Sequence, residues 1–80
     1  MTDDEILHAI TEVARDKLEL EGDLQRDSRL VEDLELDSIR LLTLAMEVED
    51  RFRIFLDEDD EEAIVTVADL VDVVGRKLAT

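Results

Sequence analysis

Apolar residues recur at helical spacing along three stretches of the chain, and the first stretch lies near its start. Four residues separated by three, four and four positions form one face: Leu7, Ile10, Ala14 and Leu18. Thr2 and Glu5 stand three positions apart before this face, which is the form of a capping box at a helix start. The pattern predicts a first helix from about Asp3 to Leu18 or Leu20, and Gly22 is its expected stop.

The most regular helical pattern follows in the middle of the chain. Its apolar face consists of residues four, three and four positions apart: Leu41, Ala45, Val48 and Phe52. Asp37 stands before this face as a predicted N-cap, with Leu36 and Leu41 in the arrangement of a hydrophobic staple. A second helix is therefore predicted from near Ser38 to about Phe52.

The segment between these two helices, from Glu21 to Asp37, has no sustained period. Five apolar residues are spread along it: Leu24, Leu30, Val31, Leu34 and Leu36. We expect these residues to anchor the segment against the helices, so that it forms a long packed loop with at most a short helical turn.

Six consecutive acidic residues, Asp57 to Glu62, precede the last helical pattern. A calcium-binding EF-hand loop that began at Asp57 would need glycine at its sixth position and glutamate at its twelfth, where the chain has Glu62 and Ala68. We therefore predict a short helix around Asp59 to Ile64 and no metal site.

The last stretch of helical spacing begins after Thr66, a residue suited to capping a helix. Its apolar residues are Val67, Leu70, Val71, Val74 and Leu78. Proline is absent, only two glycines occur and aromatic residues make up 2% of the chain, which favours helix over strand. The predicted fold is all-α, with three longer helices, a short third helix and a long first loop.

Eighty residues accommodate a single domain, predicted to span residues 1–80, with a small core. Apolar residues make up 45% of the chain and charged residues 41%, which is enough hydrophobic content for a folded domain. The formal net charge of -15 should repel nucleic acid and attract basic patches on other proteins. Because no cysteine, long apolar run or signal peptide is present, we expect a monomeric cytoplasmic protein without a membrane span.

The residue pattern does not predict an enzyme. A serine nucleophile needs a base within hydrogen-bond reach, and the only histidine, His8, falls on the polar side of a different helix from Ser38. No glycine-rich phosphate loop or His/Cys metal cluster occurs in the sequence. We expect a metal-free, non-catalytic domain on which other proteins act.

The pair Asp37-Ser38 falls where the second helix should begin, and it has two interpretations. Unpaired backbone N-H groups and the partial positive charge of a helix N-terminus would suit a phosphate ester on Ser38. Alternatively the pair is only a cap, since serine and aspartate are among the commonest capping residues. These two residues alone favour the cap.

The sequence around this pair changes that balance. Residues 30–39, Leu-Val-Glu-Asp-Leu-Glu-Leu-Asp-Ser-Ile, followed by an acidic amphipathic helix to Phe52, resemble the acyl carrier protein family. The resemblance extends over nearly the whole chain. It includes the long first loop, the acidic region from Asp57 to Ile64, and Thr66-Val67 at the start of the last helix.

The resemblance implies that a phosphopantetheinyl transferase joins 4'-phosphopantetheine to the Ser38 hydroxyl, and that the thiol of this arm carries acyl groups as thioesters. It also implies a four-helix bundle that shelters the acyl chain, with the cavity lined by Met46, Leu56, Ile64 and Val67. The implied partners are acyltransferases, ketosynthases or acyl or aminoacyl ligases with basic docking patches. Their expected contacts on this chain are Asp37, Ile39, Arg40, Met46, Glu49, Asp50 and Glu58.

The chain also departs from the pattern of many family members. Ile39 replaces the usual leucine of the motif, and Glu35 stands where many relatives have glycine. Arg40 and Thr43 occupy positions that are acidic in many carriers of fatty-acid synthesis. Because charge juxtaposition sets partner choice, these differences indicate a specialised carrier whose partners are encoded just after Ser38.

The favoured function is a discrete, non-catalytic acyl carrier of fatty-acid, polyketide or related lipid biosynthesis. Two alternatives stay open at the level of sequence. One is an aminoacyl or peptidyl carrier of a nonribosomal-type pathway, with the same arm and a different cargo. The other is an unmodified acidic helical interaction module in which Asp37-Ser38 is a cap only.

Overall fold

The computed structural model describes residues 1–20, 22 and 24–79, and these residues form four helices and no strand. The helices are α1 (Asp3–Leu18), α2 (Ser38–Phe52), α3 (Glu58–Ala63) and α4 (Val67–Ala79). The all-α prediction of three longer helices, a short third helix and a long first loop is confirmed. None of the described helices is long and apolar enough to cross a membrane.

α1 begins with the predicted capping box, in which the Glu5 N-H donates to Thr2 Oγ1 and the Thr2 N-H donates to the Glu5 carboxylate. It ends at Leu18, as predicted, but a different residue from the expected one makes the stop. Glu19 adopts the left-handed conformation, with φ 57°, and its N-H bonds to the Ala14 carbonyl. Gly22 is therefore not the stop, because a non-glycine residue takes the left-handed position three residues earlier.

The core lies where α1 packs against both α2 and α4. Its fully buried side chains come from these three helices and from the long loop: Ile6, Ile10, Leu36, Val48, Val67, Val71 and Val74. Removing this apolar surface from water is the main force that holds the helices together. The packing fixes α2, which begins at Ser38, against α1.

The connection from α1 to α2 is a packed loop, as predicted, and its described residues form turns but no helix. The start of the predicted connection, Glu21, lies outside the described residues, as does Asp23. Leu24, Leu30 and Leu36 are buried, whereas Val31 is exposed. The predicted anchoring role of Val31 is wrong, because the turn over residues 30–33 buries its neighbour Leu30 instead.

Backbone groups of this loop hold the start of α4. The Val67 N-H donates to the Ser28 carbonyl at 3.0 Å, and the Ala68 N-H donates to the Arg26 carbonyl at 2.8 Å. These are two of the N-H groups that a helix start leaves without intrahelical partners. The loop is thus part of the bundle, because it completes the N-terminus of α4.

Side chains cap the last two helices as well. Asp57 and Asp60 form a capping box on α3, which starts and ends one residue earlier than predicted. On α4, the Asp69 N-H donates to Thr66 Oγ1 at 3.1 Å, so the predicted cap is confirmed. The Thr66 and Val65 N-H groups donate to the Asp69 carboxylate, and they lower its pKa.

Candidate functional site

Ser38 is the first residue of α2, and it is exposed. Asp37 precedes it as the N-cap, and its Oδ1 accepts a hydrogen bond from the Arg40 N-H at 2.8 Å. The Asp37 carbonyl accepts a further bond from the Leu41 N-H at 2.9 Å. The predicted cap is therefore made by Asp37, and the cap alone does not explain the exposed hydroxyl of Ser38.

The first turn of α2 differs in charge from the first turns of the other helices. Acidic residues occupy the first turn of α1, α3 and α4, whereas α2, whose residues are all described, has none there. Apart from the Asp37 cap, no carboxylate of the helix itself complements its positive end. A phosphate ester on Ser38 would meet this end of the helix dipole.

An apolar cavity of about 310 Å³ lies beside Ser38. Its volume falls at the lower end of the range for small-molecule pockets, about 300–1,000 Å³. Ser38 itself lines the cavity, together with Leu41, Leu42 and Ala45 at three, four and seven positions further along α2. These spacings place all four residues on one face of the helix. The exposed serine and one wall of the cavity therefore belong to the same helix face.

The remaining lining residues come from the long loop, α2, the α2–α3 connection, α3, the α3–α4 connection and α4, and they are Leu30, Leu44, Leu56, Glu61, Ile64 and Leu70 in that order. Leu56 and Ile64 are two of the four cavity residues expected from the sequence. The structure does not place the other two, Met46 and Val67, on this cavity. Met46 is exposed on the outer surface of α2, and Val67 is fully buried in the packed core.

Contact of these two residues with an acyl chain stays a prediction, and their positions away from this cavity have a physical reason. The helical period identifies the apolar faces of α2 and α4, but it does not show where packing leaves a gap. A usable signal was present in the sequence, since Leu41, Leu42 and Ala45 follow Ser38 at positions i+3, i+4 and i+7. Helical spacing counted from Ser38 identifies these three residues as one wall of the cavity.

An apolar stripe on α2 faces solvent. Ile39, Leu42 and Met46 are exposed at positions i, i+3 and i+7, and Phe55 shares an open surface depression with Met46. We call these four residues the outer stripe. Ile39 is 76% exposed and Phe55 is 71% exposed. Neighbouring exposed apolar side chains of this kind are typical of an interaction surface.

Several of the residues expected to contact partners have contacts within the fold. Asp37 caps α2, and Glu49 Oε2 accepts a hydrogen bond from the Leu56 N-H at 2.9 Å, which holds the α2–α3 connection. Arg40 is half-buried, and its guanidinium donates to the Leu18 carbonyl. The other four, Ile39, Met46, Asp50 and Glu58, are exposed. Partner contact stays a prediction for all seven.

An ion pair joins α3 to α4. Lys77 Nζ lies 2.8 Å from Asp60 Oδ2, and the same carboxylate oxygen accepts the Asp57 N-H at 3.1 Å. The hydrogen bond from Lys77 is the main cause of a lowered pKa of Asp60, and the pKa of Lys77 is raised in turn. Because Glu61 and Ile64 line the cavity, this ion pair holds the segment that forms one of its walls.

The sequence also raised His8 and the acidic residues 57–62 as candidates for chemistry. His8 is exposed on α1 and pairs with Glu12 at 3.1 Å. Within the described residues, no group of three or more His, Cys, Asp or Glu side chains is arranged to hold a metal ion, the acidic run of residues 57–62 included.

A small helical bundle that presents a serine at the start of a helix, beside an apolar cavity, has the architecture of a phosphopantetheine-binding domain. The family model for the phosphopantetheine attachment site matches residues 8–74. The acyl carrier protein of Rubrobacter xylanophilus is 37% identical over 75 residues, which cover 92% of this chain and 93% of the relative. That of Thermotoga maritima is 33% identical over 76 residues, 94% of each chain.

Solved structures of acyl carrier proteins have a fold similar to that of this chain. The crystal structure of the acyl carrier protein of Thermotoga maritima superposes with a TM-score of 0.86 at 27% identity, covering 96% of this chain and 91% of that chain. The acyl carrier protein of Enterococcus faecalis gives a TM-score of 0.76 at 27% identity, covering 96% and 99%. This chain belongs to the acyl carrier protein family, as its sequence motifs indicated.

Proposed function

We propose that Ser38 carries a 4'-phosphopantetheine arm and that the chain transfers acyl groups, held as thioesters, between enzymes of fatty-acid, polyketide or related lipid biosynthesis. The chain has no catalytic activity of its own in this proposal. In arm transfer, the Ser38 oxygen forms a bond to the pantetheine-bearing phosphorus of coenzyme A as the pyrophosphate bond breaks. Adenosine 3',5'-bisphosphate leaves, and the serine proton passes to a base of the transferase.

One observation carries the proposal: the serine in the family motif also lines an apolar cavity. An arm attached at Ser38 would start at the cavity, so that an apolar acyl chain could fold back into it and leave water. Burial of each methylene group is favourable by about 0.8 kcal/mol. The absence of acid from the first turn of the fully described α2 adds support, since Asp37 is then the one carboxylate of its cap and first turn that an attached phosphate would face.

The two serines of the chain allow a matched test of the attachment site. Both follow an aspartate, in Asp27-Ser28 and Asp37-Ser38, but Ser28 lies in the long loop. Apo protein is incubated with coenzyme A and a broad-specificity phosphopantetheinyl transferase, and its intact mass is measured. Wild type and Ser28→Ala should gain one phosphopantetheine, whereas Ser38→Ala should gain none and keep its helical circular dichroism.

Loading assays then test the cargo. Acyl donors, such as malonyl and longer acyl chains, should load the arm. Exclusive loading of amino acids would contradict the acyl assignment and favour the aminoacyl or peptidyl carrier. A folded wild-type protein that gains no mass would instead favour an acidic module without an arm.

Docking of partner enzymes is expected on α2 and the segment after it. Asp50 and Glu58 provide the cleanest test of charge, because Asp37 and Glu49 also hold backbone N-H groups of the fold. Asp50→Asn and Glu58→Gln should weaken binding to a ketosynthase or acyltransferase of the same pathway at low salt, with little change in stability. Binding by the wild type should weaken as salt rises, since salt screens charge pairs at an interface. Affinity that does not depend on salt would indicate a dock formed mainly by the outer stripe.

A further inference from the structure

The guanidinium of Arg40 is directed toward the C-terminal end of α1. Its Nη2 donates a hydrogen bond to the carbonyl oxygen of Leu18, the last residue of α1. Its backbone N-H donates to Asp37 Oδ1 at 2.8 Å. A single residue therefore joins the cap of α2, the first turn of α2 and the end of α1.

The end of α1 suits a cation. The last carbonyl groups of a helix lack intrahelical partners, and together they carry a partial negative charge. A guanidinium that donates to such a carbonyl forms a charge-assisted hydrogen bond, which is stronger than a bond between neutral groups. The contact of Arg40 with Leu18 is thus suited to hold the first turn of α2 in place.

Arg40 and Ser38 lie on nearly opposite sides of α2. Successive helical residues are about 100° apart, so residues two positions apart differ by about 200° around the axis. Arg40 contacts α1, whereas Ser38 shares the cavity face with Leu41 and Ala45. Because both residues belong to the first turn of α2, holding Arg40 against α1 also restricts the position of the Ser38 backbone.

We propose that Arg40 is a positioning residue for the modification of Ser38 and not a docking charge for partners. The inference rests on the proposed function, since it concerns transfer of the arm to Ser38. Group transfer requires the reacting oxygen in a narrow range of positions, and a displacement of about 1 Å can cost about 10²-fold in rate. Loss of the guanidinium frees the first turn to shift, while the outer stripe and the exposed acids stay on the surface.

The other end of α2 provides a matched control. Arg51 also contacts α1, since its Nη2 lies 3.7 Å from Glu12 Oε1. At about 1.5 Å of rise per residue, Arg51 is roughly 20 Å along the helix from Ser38. Arg40→Ala and Arg51→Ala each remove one arginine contact between α2 and α1, but only the first is in the turn that bears Ser38.

The test measures arm transfer to apo wild type, Arg40→Ala, Arg40→Lys and Arg51→Ala, with coenzyme A and a phosphopantetheinyl transferase. Arg40→Ala should lower kcat by about tenfold or more with little change in KM. Arg40→Lys should recover part of the rate, because an ammonium can donate to the Leu18 carbonyl without the geometry of a guanidinium. Arg51→Ala should stay within about twofold of wild type.

A second readout does not depend on the arm. The Leu41 N-H, which bonds to the Asp37 carbonyl at 2.9 Å, reports on the first turn of α2. Its hydrogen exchange should be faster in Arg40→Ala than in wild type and unchanged in Arg51→Ala.

Three results would overturn the inference. A raised KM with unchanged kcat in Arg40→Ala would make Arg40 a docking charge. Equal losses in Arg40→Ala and Arg51→Ala would reduce the effect to general stability, and wild-type kinetics in Arg40→Ala would remove the role altogether. If wild type accepts no arm, the proposed function itself fails. The exchange of Leu41 then still reports whether Arg40 holds the turn, so the two failures are distinguishable.

Discussion

The pair α1 and α4 and the pair α2 and α3 differ in how completely their apolar side chains are buried. α1 and α4 pack against each other and bury Ile6, Ile10, Val71 and Val74 almost fully. None of the six residues of α3, all of them described, is buried. α2 buries Leu44, Val48 and Phe52, but it also carries three residues of the exposed outer stripe and one wall of the cavity.

This difference distinguishes a closely packed side of the bundle from a side on which apolar surface is left open. Close packing maximises dispersion and the removal of apolar surface from water, but it leaves no space for another molecule. The gap beside Ser38 lacks some of that packing, and under the proposed function its apolar surface would receive an acyl chain. The same substitution should therefore have different consequences on the two sides.

Two isoleucines give the largest expected contrast. Ile10 on α1 is 0% exposed, whereas Ile39 on α2 belongs to the outer stripe. Ile10→Ala should lower the free energy of unfolding by about 2–5 kcal/mol, because it creates a cavity in a packed core. Ile39→Ala should change it by no more than about 0.5 kcal/mol. Urea denaturation of both variants measures the difference, and similar losses would contradict the division into a packed and an open side.

Two alanines allow the opposite change, in which a substitution adds side-chain volume on each side of the bundle. Ala14 is buried in α1, whereas Ala45 lines the cavity. Ala14→Leu should destabilise the fold by about 1–3 kcal/mol through overpacking, and Ala45→Leu should cost much less because the cavity receives the larger side chain. If the cavity shelters the cargo, an octanoyl thioester should also be hydrolysed faster on Ala45→Leu than on wild type. Equal stability losses in the two variants would show that the cavity is not available to a side chain.

The two glycines should give a smaller contrast. Gly75 lies within α4, where an added Cβ would meet Ile6 Cδ1 at 3.7 Å, an ordinary contact distance. Gly75→Ala should stabilise the fold by about 0.5–1 kcal/mol, because alanine favours the helix. Gly22 has φ +77°, so Gly22→Ala should destabilise by about 1 kcal/mol or more. Thermal unfolding distinguishes the opposite signs, and a destabilised Gly75→Ala would mean that α1 and α4 lie closer than this contact allows.

The ion pair of Asp60 and Lys77 should have the smallest effect on global stability, because it concerns α3. The pKa of Asp60 is lowered in the folded state, so its contribution is present above the unfolded pKa of about 4 and is lost as pH falls through the folded value. The protection of the Ile64 N-H, which bonds to the Glu61 carbonyl, against hydrogen exchange should therefore fall at acid pH more than that of α1 amides, after correction for the intrinsic exchange rate. Lys77→Met should reduce this pH dependence but not remove it, because the Asp57 N-H still donates to Asp60, and Arg76→Met, on the adjacent residue, should keep it. An unchanged profile in Lys77→Met would show that the pair does not hold α3.

The sequence predicted the helices well because their signals are local. Thr2 with Glu5, Asp37, and Thr66 are capping residues that act within three positions of the chain, and the structure confirms each. The end of α1 at Leu18 was predicted, but its stop at Glu19 was not, because no intrinsic preference marks a glutamate for the left-handed conformation.

The candidate site was also predictable where its features depend on residues adjacent in sequence. Ser38, its position at a helix start and the acidic character of the chain follow from residues that are adjacent in sequence. The family assignment, which rested on these features, is confirmed by relatives that cover nearly all of the chain. The cavity was predicted only in part, since Leu56 and Ile64 line it and Met46 and Val67 do not.

The sequence by itself thus determined the helices, their caps, the net charge and the candidate serine, because each depends on interactions within a few residues or on composition. Only the tertiary structure decided where the gap in packing lies, that the side of α2 facing it bears Ser38, and that Arg40 is directed toward Leu18. These features depend on how segments distant in sequence meet. A helical period shows which residues share a face, but packing between helices decides what each face meets.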